Sequence, residues 1–414
     1  MSGIGSTLSS GGTNPRTKEL SDMVHRIVIL GAGYAGTSAA GRLARRLHGD
    51  DVEITLVNAE PDFVERVRLH QVATGQIVRD RPLQDLLAGS GVTLRVARVV
   101  SVDADGRSVT LDDGADLAYD TLVYALGSAR DDHGVPGVFE HAHEVASRPG
   151  ALRLRDRLAA LAPGGRVVVV GGGLTGIEAA SEIAESFEHL DVAVAVHGAF
   201  GDWLSPSGRR HLRGTFDRLG VTVHEHSPVT RVDAASVTTA DGATVPADVT
   251  VWAAGFAAHP IAAASTLDVT DRGQIVVDGT MRSVSHPDVY AVGDAAFAHT
   301  TVGTPMRMSC ASGVPMSWQA ADSIVARLTG GKLPHTPLSY VHQCISLGRR
   351  DALIQFVTPD DRARSFAPGG RLMARYKELI CAGAAWVVVH PVPYPVRRRR
   401  TTLTPVAPLA PARH

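Results

Sequence analysis

An α/β fold is predicted for this chain of 414 residues, with two parallel-sheet domains and a C-terminal α+β region. Three observations predict it. The apolar run Ile27-Val28-Ile29-Leu30 leads directly into Gly31-Ala32-Gly33-Tyr34-Ala35-Gly36. The run Val167-Val168-Val169-Val170 leads in the same way into Gly171-Gly172-Gly173-Leu174-Thr175-Gly176. Further strand-like segments end in small-residue turns at Tyr119–Gly127, Val251–Phe256 and Asp288–Ala296. A short apolar run closed by glycines and followed by helical periodicity reads as a buried parallel strand entering its crossover helix.

Composition narrows the classes. The length favours two or three domains over one core. A net charge of −1 argues against nucleic acid as a partner. No apolar stretch reaches the roughly 18–20 residues of a membrane-spanning helix. The N-terminus lacks the apolar core of a secretory signal, so a cytoplasmic location is expected. Residues 1–23, rich in Ser, Gly and Thr, read as a disordered leader. Cys310, Cys344 and Cys381 are scattered and form no CxxC or CxxxxC pair. No dithiol centre is expected from that spacing, unless distant cysteines meet in the fold.

The first element is a strand at 26–30, a glycine turn, and a helix from about 34 to 47. Gly31 makes the tight turn, Gly33 lets backbone approach a pyrophosphate, and Gly36 lets helix pack on strand. The helix N-terminus offers free N–H groups and a positive dipole end to phosphate. The next strand, Glu53–Val57, ends at Asn58, where an acid would be expected to grip a ribose. An amide can still bond ribose hydroxyls, and Glu60 is the nearby substitute.

The second element repeats the plan, with a helix from about 174 to 188 that carries Glu178 and Glu182. Its following strand, Val192–Val196, ends at His197. A missing carboxylate there removes a repulsion against the 2′-phosphate of NADPH. His197 reads equally as a surface histidine, so NADH and NADPH both stay open. The two elements form a diverged internal duplication.

In this order the motifs resemble the two-dinucleotide FAD/NAD(P)H flavoproteins of the pyridine nucleotide-disulfide oxidoreductase fold. The resemblance covers roughly residues 25–330. It is nearest the type II NADH dehydrogenase-like branch, through Phe63–Gln71 and Cys344–Arg350. It implies a discontinuous FAD-binding domain at 24–133 and 267–330, an NAD(P)H-binding domain at 134–266, and a C-terminal region at 331–414. FAD contacts are implied at Gly31, Gly33, Tyr34, Ala35, Gly36, Asn58, Ala59, Arg66, Val99, Ala125 and Gly127. The Gly293-Asp294-Ala295 turn would hold the flavin, with Asp294 on its ribitol. NAD(P)H contacts are implied at Gly171, Gly173, Leu174, Thr175, Gly176, Glu178, His197, Gly255 and Phe256.

The activity so implied is transfer of hydride from nicotinamide to flavin, then of electrons to a quinone or another small acceptor. Glu178 is the expected polar residue beside the nicotinamide ribose, against an exposed helix carboxylate. Cys310 and Met308 are placed on the acceptor side of the flavin, against simple packing. Gln319 is the candidate contact to a quinone carbonyl. The segment Met308–Gln319 departs from the branch's Ala-Gln-x-Ala-x-Gln quinone motif, which leaves the acceptor open. A dedicated biosynthetic substrate is one alternative, and a nucleotide-responsive binding protein with slow turnover is another. The tail Ala385–Val396 with Arg397–Arg400 reads as packed and solvated chain, with weak peripheral membrane contact as the minor reading. A homodimer is a further open expectation. The HxH pairs His141/His143 and His224/His226 lack an evident third ligand, so no metal is expected.

Overall fold

The computed structural model describes residues 24–334, 337–392 and 396–402. The predicted leader at 1–23 lies outside the described residues. Two five-stranded parallel sheets carry the two glycine turns. The first is ordered Val289–Ala291, Thr121–Tyr124, His25–Leu30, Val52–Asn58, Val92–Val96. The second is ordered Ala142–His143, Val249–Trp252, Arg166–Val170, Asp191–Ala195, Thr222–His224. The central strands are buried on both faces, which is why they read as continuous apolar runs.

The duplication extends beyond the glycines. Each sheet is accompanied by a three-stranded antiparallel meander, at 99–118 and at 229–246, each with an irregularity in its first strand. Each unit also repeats one ion pair. Asp120 takes the backbone N–H and guanidinium of Arg26, as Asp248 takes those of Arg166.

Helices Tyr34–Arg46 and Leu174–Ser186 follow the two turns. Both begin at a glycine without a side-chain cap, and neither has an acidic residue in its first turn. Helices Arg148–Ala159 and Pro206–Arg218 are instead capped by Ser147 and Ser205. The orphan N–H groups of a helix need partners. Leaving them free at the two glycine turns keeps them available to an anion.

The C-terminal region bridges the two units. Strands His342–Ser346 and Ala352–Phe356 form an antiparallel hairpin that packs on Leu174–Ser186 and on Pro206–Arg218. Asp351 ties it there, accepting from His211, Thr215 and Arg218. Helix Arg371–Val389 packs on the hairpin and on Tyr34–Arg46. Its last turns contain Ala385–Val389, so this part of the expected tail is helix rather than loose chain. The basic run is also anchored: Arg399 pairs its backbone with Arg46 and His48, and Arg400 bridges Asp50 and Asp51. Among the described residues, no helix is long and apolar enough to cross a membrane.

Candidate active site

Both glycine turns open onto one cavity of about 1700 Å³. A single small-molecule site is typically about 300–1,000 Å³, so this space suits two ligands. At the first turn, Gly31 has φ +92°, and a β-carbon there would meet the carbonyl of Ala125. A β-carbon on Gly36 would overlap the Gly31 carbonyl. Gly171 and Gly176 repeat both relations, against Ala253 and Gly171. Gly33 and Gly173 differ, since nothing lies within 4 Å of a β-carbon at either. These two face the open cavity, where backbone can approach a phosphate.

Asn58 lines the cavity, and its amide also braces the chain around it. Its Oδ1 accepts from Ala32 N at 2.9 Å and its Nδ2 donates to the Glu60 carbonyl at 2.8 Å. The side chain fastens the glycine turn, and Glu60 and Ala59 line the cavity beside it. Val99 faces the core of its meander, and the neighbouring Arg98 lines the cavity in its place. His197 is exposed at its strand end and is absent from the cavity wall.

The Gly293-Asp294 turn closes the far side. Asp294 Oδ2 accepts from the Ser128 hydroxyl at 2.6 Å and lies 3.5 Å from Arg66. Arg66 lies over the Phe256 ring, 5.0 Å from its centroid. Gln274 Nε2 donates to the carbonyls of Asp294 and Ala296, fixing the turn from behind. Ala295 is buried beneath it. Ala125, Gly127, Gly255 and Phe256 line the seam between the two turns.

Gln319 does not reach this cavity. It is buried and donates to the carbonyls of Gly279 and Pro334 at 3.0 and 3.1 Å. Its place in helix Cys310–Thr329 turns it away from the cavity, so its role is to hold loops. Met308 and Cys310, at that helix's N-terminus, do line the cavity.

Glu178 lines the cavity but is engaged in an ion pair that the sequence did not announce. Lys377 Nζ donates to its Oε1 at 2.7 Å, and Ser346 N donates to it at 3.0 Å. Lys377 also donates to the Cys344 carbonyl at 2.9 Å. Burial alone would raise the Glu178 carboxyl, but the Lys377 ammonium and the hydrogen bonds from Lys377 and Ser346 outweigh it and hold it low. Burial alone would lower the Lys377 amine, and Glu178 overrides it in the other direction. The pair is therefore charged.

Behind it, buried His70 lies between two carboxylates, 3.9 Å from Glu178 and 3.9 Å from Glu182. Burial pushes the His70 imidazole down to about 4, leaving it neutral. Burial also pushes the Glu182 carboxyl up to about 7, against a hydrogen bond from Gln76. Among the described residues, His70 Nε2 and Glu182 Oε2 have no hydrogen-bond partner.

Sequence reasoning missed Lys377, His70 and Ser128. Lys377 left one signal: with Lys18 and Lys332 it is one of three lysines in a chain that otherwise uses arginine.

Two anion-ready helix ends facing one cavity, joined by an Asp-bearing turn, define a flavin- and pyridine-nucleotide-linked oxidoreductase. The chain belongs to the pyridine nucleotide-disulphide oxidoreductase family, whose model matches residues 25–323. It is 31% identical over 349 residues to an NADH dehydrogenase-like protein of Mycobacterium tuberculosis, covering 79% of this chain and 87% of that one. It is 26% identical over 354 residues to demethylphylloquinone reductase of Synechocystis, covering 81% and 87%. Among solved structures, NDH2 of Plasmodium falciparum in complex with NADH superposes with a TM-score of 0.74 at 14% identity. That match covers 89% of this chain and 96% of the other, and shows a shared fold.

Proposed function

We propose that this enzyme takes hydride from NAD(P)H at the second glycine turn and passes electrons through FAD, held at the first, to a quinone or another small acceptor. The observation that carries this reading is the single cavity onto which both turns open. The domain limits that go with it are 24–133 with 267–330 for FAD, and 134–266 for NAD(P)H.

Bound FAD supplies the two-electron relay between nicotinamide and acceptor. The protein's part is position. The free N–H groups after Gly33 and Gly173 hold two pyrophosphates, and Asp294, steadied by Ser128 and Arg66, holds the ribitol. Much of the rate comes from setting the two reacting atoms about 3–3.5 Å apart. Glu178 serves at the nicotinamide side as a carboxylate whose charge is fixed by Lys377. The relative named for a phylloquinone precursor supports a quinone as the acceptor class.

Stopped-flow mixing of the FAD-loaded protein with NADH and with NADPH tests the first step. Bleaching of the flavin within seconds is expected with one of them, followed by recovery of colour on adding a soluble quinone. Bleaching no faster than minutes with either nucleotide would overturn the catalytic reading.

A further inference from the structure

Gln319 is turned away from the cavity, but another glutamine lines it. Gln343 lies on strand His342–Ser346 and is 7% exposed. Its Nε2 donates to Asp361 Oδ1 at 2.9 Å. A carboxylate only accepts, so the amide is fixed with its nitrogen toward Asp361 and its oxygen directed elsewhere. That oxygen, Oε1, is buried and has no hydrogen-bond partner among the described residues. A buried carbonyl without a donor is costly, and a fold that keeps one calls for an explanation. Because the residue stands on the cavity wall, a bound molecule can supply the donor.

Three separate segments build this corner. Asp361 sits in a turn closed by Thr358 and Arg362, with φ +68°, a left-handed conformation that aspartate tolerates better than most residues. The same carboxylate pairs with Arg307, whose Nη2 lies 3.3 Å from Oδ1. Arg307 lies over the Tyr340 ring, 4.9 Å from its centroid, and its backbone N–H donates to the Tyr340 hydroxyl at 2.6 Å. Arg307 directly precedes Met308, and both line the cavity. Through Asp361, Gln343 is thereby joined to the segment that enters helix Cys310–Thr329, which the sequence assigns to the acceptor side.

We infer that Gln343 recognises the acceptor, its carbonyl oxygen taking a hydrogen bond from a ring hydroxyl that a quinone gains on reduction. The inference rests on the function proposed above. In NAD(P)H + H⁺ + Q → NAD(P)⁺ + QH₂, the hydride electrons and two protons turn both ring carbonyls into hydroxyls. A quinone carbonyl and the Gln343 carbonyl are both acceptors and form no hydrogen bond. A hydroquinone hydroxyl donates to it. The interaction therefore grows as the ring is reduced, and binding of that kind assists the reaction instead of merely holding the substrate. Asp361 is the positioning residue. Without its carboxylate the amide is free to turn and present its NH₂, which suits the oxidised ring.

The test is binding, without turnover, to the full-length, FAD-loaded protein in its oxidised form. Two ring probes differ by one donor: 4-methoxy-1-naphthol carries a hydroxyl where 1,4-dimethoxynaphthalene carries a methyl ether. By equilibrium dialysis the naphthol should bind the parent roughly tenfold or more tightly than the ether. Gln343→Met keeps the length and removes the carbonyl, and should erase the preference while binding NAD⁺ as the parent does. Asp361→Gly suits φ +68° and removes the carboxylate, and should erase the preference too. Flavin absorbance checks the fold of each variant, and either one alone decides the point if the other fails to hold flavin. No preference in the parent would overturn the inference, as would a preference that survives in a flavin-loaded variant. Loss of NAD⁺ affinity in Gln343→Met would also overturn it, by giving the carbonyl to the nicotinamide amide. Failure of NADH to bleach the flavin would sink the proposed function yet leave the probe ratio readable.

Discussion

Glu182 is a buried carboxyl whose ionisation the fold disfavours. It is fully buried, one oxygen accepts from Gln76, and the other faces a neutral His70 that cannot compensate a charge. Burial lifts its carboxyl from the ordinary 4.5 to about 7. At 1.36 kcal/mol per tenfold in the proton equilibrium, that lift corresponds to ~3 kcal/mol. Because the folded value is raised, the stability it contributes is complete below about pH 4.5 and is lost as pH rises through about 7. Glu182→Gln keeps the shape and an oxygen for Gln76, and has no proton to lose. The variant should lie close to the parent at pH 5 and gain on it by roughly 2–3 kcal/mol by pH 8. Denaturant midpoints of the FAD-loaded proteins across that range measure the difference, in which other titrations cancel. A difference that stays flat with pH, or a variant less stable than the parent at pH 8, would refute the reasoning.

Lys377→Met strands the Glu178 carboxylate without its counter-ion, a loss of about 3–5 kcal/mol; adding Glu178→Gln should restore most of it, and a double variant no better than the single one would contradict the pairing. Gly36→Ala drives a β-carbon into the Gly31 carbonyl and should destabilise the apoprotein by about 1–3 kcal/mol. Gly33→Ala, with open space at that point, should leave the melting temperature unchanged and weaken FAD binding by roughly tenfold or more, as measured by equilibrium titration. Asp294→Ala removes the partner of Ser128 and Arg66 and should purify with flavin well below one per chain by absorbance; full occupancy after gel filtration would count against the ribitol contact.

The nucleotide-binding half of the site was legible because its determinants are local. A glycine needed for φ +92° at position 31, or for helix–strand contact at 36, sits within one strand–turn–helix and marks the sequence directly. Asn58 occupies the expected position and lines the cavity, and only the fold shows that its amide also braces Ala32 and Glu60. Gln319 failed on helix phase, since neighbouring residues on one helix face opposite partners. The C-terminal helix was hidden by Gly383 and by the prolines that follow its end, which read as loop. Cys344 and Lys377 had no spacing to announce them. They meet through packing of a hairpin and a helix whose contact is decided by distant parts of the chain.

That division between local and distant determinants also separates the two halves of the chemistry. Both nucleotide cradles are made of backbone, and the duplicated pairs Arg26–Asp120 and Arg166–Asp248 brace the strands that carry them. Main-chain N–H groups bind phosphate whatever the neighbouring side chains are, so two copies can hold different dinucleotides. The rest of the cavity wall includes side chains from helix Cys310–Thr329 and from a C-terminal region that neither duplicated unit contains. On the proposed function, a change of acceptor calls for substitutions on that wall, at residues such as Met308 and Cys310, and leaves both cradles intact. The departure of Met308–Gln319 from the quinone motif includes Met308 and Cys310 on the cavity wall, while every glycine of the two turns stays in place.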